Sequence, residues 1–253
     1  MSGAPSLLPP ALLEEFTKAA SSPDPGLAEP ALLIARLGYP NLDPAPYLAR
    51  LEEMADTAAG RLAASKLSAT VHGPIDTLNT YLFEDQGFAG NTANYDDPRN
   101  SFLNQVLDRR TGIPITLALV YIEVASRVGI RVDGVNFPGH FLLRFPVGPD
   151  ARPDNAVFLD PFNQGTVLTE TDCRTLLEKH AGDAVSFEPR LLRPATKQQF
   201  LVRMLVNLKQ IYVRMRSFPQ GRAITELLLA INPSALSELR DRGLLAYHLN
   251  DHA

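Results

Sequence analysis

Residues 114–128, PITLALVYIEVASRV, are the stretch that most narrows the folds open to this chain. Ile115, Leu117, Ala118, Leu119, Val120, Tyr121, Ile122, Val124, Ala125 and Val128 leave almost no wet face on a helix. A helix apolar on nearly every side belongs at the centre of a domain, so the other elements must wrap around it. Pro114 suits the first helical turn, where a missing N–H is not needed. Gly129 suits the C-terminal cap.

The residues that follow predict strands. Val132–Phe137 has moderate β character, and His140–Phe145 alternates cleanly. His140, Leu142 and Arg144 share one face, and Phe141, Leu143 and Phe145 share the other. Ala156–Asp160 is the next apolar run, and Pro161 helps end it. The segment between them, PVGPDARPDN, is a hairpin loop by its Pro, Gly and Asp content. A hairpin symmetric about Asp150 sets Phe145 opposite Asn155 and His140 opposite Asp160. Directly opposed Cβ atoms lie about 4.5–5.5 Å apart. A one-residue slip would put the two side chains on opposite faces.

A histidine and a carboxylate on adjacent strands, beside the N-terminus of a buried helix, are two members of a Cys-His-Asp triad. The third belongs at that helix N-terminus, where the dipole stabilises a thiolate. Gly112-Ile113-Pro114, Gly129-Ile130-Arg131, His140-Phe141-Leu142 and Leu159-Asp160-Pro161 together resemble the transglutaminase-like, papain-related core. From Asn91 to Gly165 the chain is similar, more narrowly, to the bacterial invasion-regulator-B family. That resemblance implies an α+β fold: a papain/transglutaminase-like core, with a buried helix packed on an antiparallel sheet. N-terminal helices and a C-terminal tetratricopeptide-like helical tail would flank it. It implies His140 and Asp160 as the catalytic positions and Pro114 at the position of the nucleophilic cysteine. A proline has no nucleophile. The expectation is a catalytically inactive, pseudoenzyme-type binding or regulatory module. The alternative is a hydrolase or amide-processing enzyme in which His140 and Asp160 activate a water.

The chain has 253 residues, enough for one sizeable domain with appendages. Its first third is helical by periodicity, with helices expected at Pro10–Ala20, Glu29–Leu37, Asp43–Leu67 and Ile75–Asp85. The expected division is 1–86 as a helical region packed on the core, 87–193 as the core, and 194–253 as the tail. In the tail, Ala223, Leu227 and Ala230 with a following Pro233 resemble the second helix of a tetratricopeptide unit. There is room for about one and a half units, and about three are needed to stand alone, so the tail should dock on the core. Its third apolar stripe is Leu236, Leu239, Gly243, Leu244 and Tyr247.

Gly87–Asn100 is an irregular loop beside the expected site, a common place for function. Ser101–Arg110 reads as a short helix capped by Asn100 or Ser101. Asn100, Asn104 and Asp108 form a polar line on it. In the resembled family this segment enters the core helix next to the site, so the resemblance implies Asn100, Asn104, Arg110 and Thr116 as cleft or ligand-binding residues. Thr116 is a poor substitute nucleophile, because the helix turns it about 200° from Pro114.

Other chemistry has little support. His72, His140, His180, His248 and His252 are scattered without metal-ligand spacing, and no cofactor motif is present. A net charge of −4 gives no drive toward nucleic acid or anionic membrane. The single cysteine, Cys173, forbids an internal disulfide and fits a reducing, cytoplasmic setting. It follows His140 and Asp160 in the chain, against the order of the triad, and reads as a packed thiol. The remaining expectation is a protein or peptide partner, bound through the cleft or the helical tail.

Overall fold

A computed structural model describes residues 8–65, 72–147, 156–182 and 185–249. Ten α-helices and six strands run through these residues. The helices are α1 (Pro10–Ser21), α2 (Ala28–Ala35), α3 (Ala45–Ala64), α4 (Gly73–Asn79), α5 (Leu103–Arg109), α6 (Pro114–Arg127), α7 (Glu170–Ala181), α8 (Lys197–Arg214), α9 (Phe218–Ile231) and α10 (Leu236–His248). The strands are β1 (Ala89–Gly90), β2 (Thr111–Gly112), β3 (Asp133–Val135), β4 (Leu142–Pro146), β5 (Ala156–Asp160) and β6 (Thr166–Leu168). The fold is α+β, a buried helix on an antiparallel sheet with helices on both flanks.

Helix α6 is the centre, as its composition requires. Of its residues from Pro114 to Ala125, only Ile122 is not fully buried. Pro114 occupies the first turn, and Gly129 takes the left-handed conformation at φ 75°. The one acid inside this helix, Glu123, is buried and meets a defined need. Its Oε1 accepts the Leu27 and Ala28 amides at 2.6 and 3.0 Å, satisfying the open N-terminus of α2. One core gathers α6, α2, α3, α4, α5 and the inner face of the sheet through Phe141, Leu143, Phe145 and Leu159.

A second core joins the two ends of the chain. Leu12 and Phe16 of α1 and Leu33 and Ile34 of α2 pack with Leu201, Leu205 and Leu208 of α8 and Ile224 and Leu227 of α9. A third lies on the outer face of the sheet, where Val135, Phe137 and Leu142 meet Cys173 and Leu177 of α7. The sheet is thus covered on both sides, and Leu142 and Leu143 are both buried.

The sheet order is β3-β4-β5-β6, antiparallel throughout. Its register departs from the symmetric hairpin. Leu143 pairs with Leu159 and Phe145 with Val157, a shift of two residues. A two-residue shift keeps every side chain on its own face, whereas a shift of one would not. Residues 148–155 of the predicted hairpin loop lie outside the described residues. β4 also starts later than expected: Gly139, at φ 70°, turns the chain, and His140 precedes the strand.

Other boundaries moved for local reasons. Helix α4 gives way to a π-helical turn, Thr80–Asp85, instead of running on as one α-helix. The cap expected from Asn100 or Ser101 does not form; Phe102 is the N-cap of α5, without a side-chain bond. The Asn100 side chain is engaged by the preceding loop instead. In α10 the stripe faces outward. Leu236, Leu244 and Tyr247 are exposed, and Leu245 and Glu238 are the buried residues. Among the described residues, no helix is long and apolar enough to cross a membrane.

Candidate functional site

Asp160 ends β5 and caps the short 3₁₀ turn Pro161–Asn163. Its Oδ1 lies 2.9 Å from His140 Nε2 and accepts the Phe162 and Asn163 amides at 2.9 and 3.3 Å. Its Oδ2 accepts the Asn163 side-chain amide at 2.7 Å. Burial alone would raise this carboxyl. The His140 ring, Asn163 and the Phe162 amide outweigh it and hold the group below the usual carboxylate range. An ionised carboxylate only accepts, so His140 Nε2 carries the hydrogen and Nδ1 is the nitrogen left for other work. Both residues are closed off, with His140 5% and Asp160 2% exposed.

Three aromatic side chains enclose the pair. The His180 ring, from the last turn of α7, stacks on His140 at 5.4 Å and 21°. Phe162 meets His140 edge-on at 6.3 Å, and Tyr95 meets Phe162 edge-on at 5.8 Å. Two glycines permit this closeness. A Cβ on Gly139 would sit 2.4 Å from His180 Cβ, and one on Gly90 would sit 2.6 Å from the Phe162 ring. The His180 imidazole, exposed but partly desolvated where it stacks on His140, is held below the usual histidine range first by that desolvation, then by His140 and Lys179, against the opposing pull of Asp160.

The N-terminus of α6 carries no reactive group. Pro114 is buried there. Thr116, also buried, donates its hydroxyl hydrogen to the Asn100 carbonyl at 2.7 Å and accepts the Ile113 amide at 3.1 Å. Asn100 is fully buried and ties the loop together. It accepts from Asn91 at 3.0 Å and from Arg109 at 3.3 Å, and it donates to the Asn94 carbonyl at 2.8 Å. Arg110, left-handed at φ 54°, donates to the Gln86 carbonyl at 2.7 Å. Asn104 is buried on α5, near the Tyr47 hydroxyl. The structure therefore brings His140 and Asp160 together. Asn100 and Thr116 share one bond away from that pair, and Arg110 and Asn104 brace neighbouring segments.

Besides Asn163, Phe162 and Tyr95 in neighbouring turns and loops, two contributors from helices were missed in the sequence. His180 reaches the pair because α7 covers the outer sheet face. Arg203 of α8 reaches the same turn: its Nη2 lies 3.4 Å from the His140 carbonyl, and its Nη1 lies 2.9 Å from Asn136 Oδ1. Both come from helices distant in the chain, and no local spacing signals them. Cys173 is fully buried on α7, and burial pushes its thiol up to about 11. No group of three or more metal-ligating side chains occurs among the described residues, which exclude His252.

A helix-centred α+β core whose sheet carries a joined His and Asp is transglutaminase-like in class. A model described as the transglutaminase-like superfamily matches residues 45–206, and a tetratricopeptide repeat model matches residues 208–253. The chain belongs to the transglutaminase-like superfamily and, within it, to the family of UPF0162 proteins. A UPF0162 protein of Xylella fastidiosa (strain 9a5c) is 38% identical over 221 residues, 86% of this chain and 76% of that protein. One from Vibrio cholerae is 31% identical over 171 residues, 68% of this chain and 62% of that protein. The F-box only protein 21 of Mus musculus is 33% identical over 181 residues, 69% of this chain but 28% of that protein. No solved structure matches the chain.

Proposed function

We propose that this protein is a catalytically inactive transglutaminase-like protein that acts as a binding or regulatory module. The observation that carries the reading is Pro114 at the start of α6, where the resemblance places the sulfur nucleophile. His140 Nδ1 then has no thiol to deprotonate. Neither substitute is fit for the role. Thr116 has given its hydrogen to Asn100, and the Cys173 thiol is buried and held protonated. The near-complete burial of His140 and Asp160 weighs against a hydrolase in which the pair activates a water. The His–Asp bond then serves to hold β4, β5 and the Pro161–Asn163 turn together.

Binding is supported by the tail. Val213, Met215, Leu236, Leu244 and Tyr247 are large apolar residues left exposed on α8 to α10, in the segment that matches a tetratricopeptide repeat. The partner class that fits is a protein or peptide.

Intact-mass spectrometry after incubation with glutamine peptides, an amine donor and an activated ester tests the catalytic half. The expected result is no adduct and no turnover. A covalent adduct, or turnover that His140→Ala abolishes, overturns the reading.

A further inference from the structure

We propose that the rim around His140, formed by Arg203, Tyr95, Phe162 and His180, binds an oxyanion, either the carboxylate of a peptide or a phosphate group. This names the ligand chemistry of the enclosed pair, and it rests on the non-catalytic reading only in treating that pair as a place of binding.

Arg203 carries the argument. Its position is set by packing one turn earlier on α8. Phe200 meets Phe141 edge-on at 4.8 Å, and a Cβ on Gly134 would lie 3.1 Å from the Phe200 ring. The Ala195 amide donates to the Gly134 carbonyl at 2.7 Å, fixing the entry to the helix. Arg203, three residues on from Phe200, is thereby aimed at the His140 turn.

Its hydrogen-bonding neighbours are all neutral. Nη1 faces Asn136 Oδ1 at 2.9 Å and the Phe137 carbonyl at 3.5 Å. Nη2 faces the His140 carbonyl at 3.4 Å, and Nε faces Asn207 Oδ1 at 3.3 Å. Only the first is a hydrogen bond of ordinary length. Three other sheltered cations are paired with acids: Arg127 meets Glu123 and Glu52, Arg144 meets Asp133, and Lys209 meets Glu238 and Asp241, whereas Arg110, like Arg203, faces a carbonyl. A half-buried guanidinium without a carboxylate is costly to keep, and one loosely held by carbonyls exchanges readily for a charged acceptor. Its planar fork fits a carboxylate or a phosphate with two parallel bonds.

The surroundings suit an anion. The Tyr95 hydroxyl is the one titratable group that acts electrostatically on Arg203 among the described residues. Tyr95 is 45% exposed, and it and Phe162 offer an apolar wall to the rest of a ligand. His180 is exposed and supplies a further ring N–H. Of the acids at the site, Asp160 is buried and already accepts four hydrogen bonds, and Asp96, beside Tyr95, is paired with Arg214. The wider field agrees. Residues 194–253 hold eight of the 24 Lys and Arg but four of the 28 Asp and Glu, a net +4 in a chain whose total is −4.

The test is an NMR titration of the full chain at constant ionic strength, following the ring resonances of Tyr95, Phe162, His140 and His180. The probes are inorganic phosphate, acetyl-Ala-Ala with a free carboxylate, and its C-terminal amide. The expected result is a saturable shift of the Tyr95 and His180 rings with at least one of the two anions and none with the amide. Phosphate alone assigns a phosphoryl ligand, and the free acid alone assigns a peptide carboxylate. Arg203→Gln should weaken binding at least tenfold, and Arg203→Lys, which keeps the charge without the fork, should weaken it less. A melting curve for each variant reports folding; if Arg203→Gln does not fold, Arg203→Lys and the amide control carry the test. No saturable shift with either anion, an equal shift with the amide, or binding unaffected by the Arg203 variants overturns the proposal. The readout involves no turnover, so this outcome is separate from that of the catalytic assay.

Discussion

If the His140–Asp160 pair is a structural clasp, the two residues should be unequal partners. Asp160 accepts four hydrogen bonds, of which His140 supplies one. Asp160→Ala removes the cap of the Pro161–Asn163 turn, about 1 kcal/mol by itself. It also strands the buried His140 N–H and the Phe162 amide beneath the aromatic rim. A lost hydrogen bond to a charged group adds about 1.5–3 kcal/mol. The expected total is about 2.5–4 kcal/mol. In a chain of this size each kcal/mol moves the melting temperature by about 2–4 °C, so the transition should fall by about 10 °C. His140→Ala leaves the carboxylate with three of its partners and should cost about 1–2 kcal/mol, mostly through lost ring packing. Thermal melts of wild type, both single variants and the double variant form a cycle. The double variant should be less destabilised than the sum of the singles by about 0.5–1 kcal/mol, the net worth of the shared bond. An Asp160→Ala variant no less stable than His140→Ala, or strictly additive costs, would refute the clasp.

The same carboxylate makes a pH prediction. Asp160 is held below the usual range, so its contribution is fully present above the unfolded value of about 3.9 and is lost as pH falls through the folded one. Urea midpoints measured downward from pH 6 should drop more steeply for wild type than for Asp160→Ala below about pH 4; parallel curves would count against the depressed carboxyl. A second site tests the tail. Lys209 Nζ lies 2.6 Å from Glu238 Oε2 and 2.8 Å from Asp241 Oδ2, joining α8 to α10. Lys209→Met leaves two sheltered acids facing one another and should cost about 3 kcal/mol. Hydrogen exchange should speed up across residues 236–248 and stay slow in α6, whereas unchanged protection of α10 would show that its contacts with α9 suffice.

What could be read from residues alone follows the range of the physics involved. The burial of α6, Pro114 in its first turn and the left-handed Gly129 are decided within a few residues, by composition and backbone sterics. The meeting of His140 with Asp160 was legible for a narrower reason. The symmetric hairpin was wrong by two residues, but side chains alternate with a period of two, so the faces were kept. The same tolerance did not extend to α10. Leu244 and Leu245 are adjacent leucines, and only packing against α9 decides which of them is buried. Asn100 misled in another way. An asparagine ahead of a helix commonly caps it, yet the Asn91–Tyr95 segment claims both ends of this amide.

The closure of the site agrees with the proposed absence of a nucleophile at the head of α6. A thiol nucleophile needs a sheltered but reachable position, because substrate must approach it and its base together. Proline makes no such demand: it completes the first turn and packs with the core. The turn at Pro161–Asn163 is then free to lie against α6, with Phe162 over Gly90 and His140. His180 closes the other side through Gly139, where any side chain would collide. What stays near the surface is the outer rim, Tyr95 and Arg203, held by a helix of the tail. Because α8 both packs in the core shared with α1 and α9 and carries the arginine that touches the His140 turn, the tail and the enclosed pair are mechanically one unit. On the proposed reading, a ligand that draws Arg203 away from the His140 carbonyl acts on α8 as well as on the turn, a physical route from an occupied rim to the exposed surface of the tail.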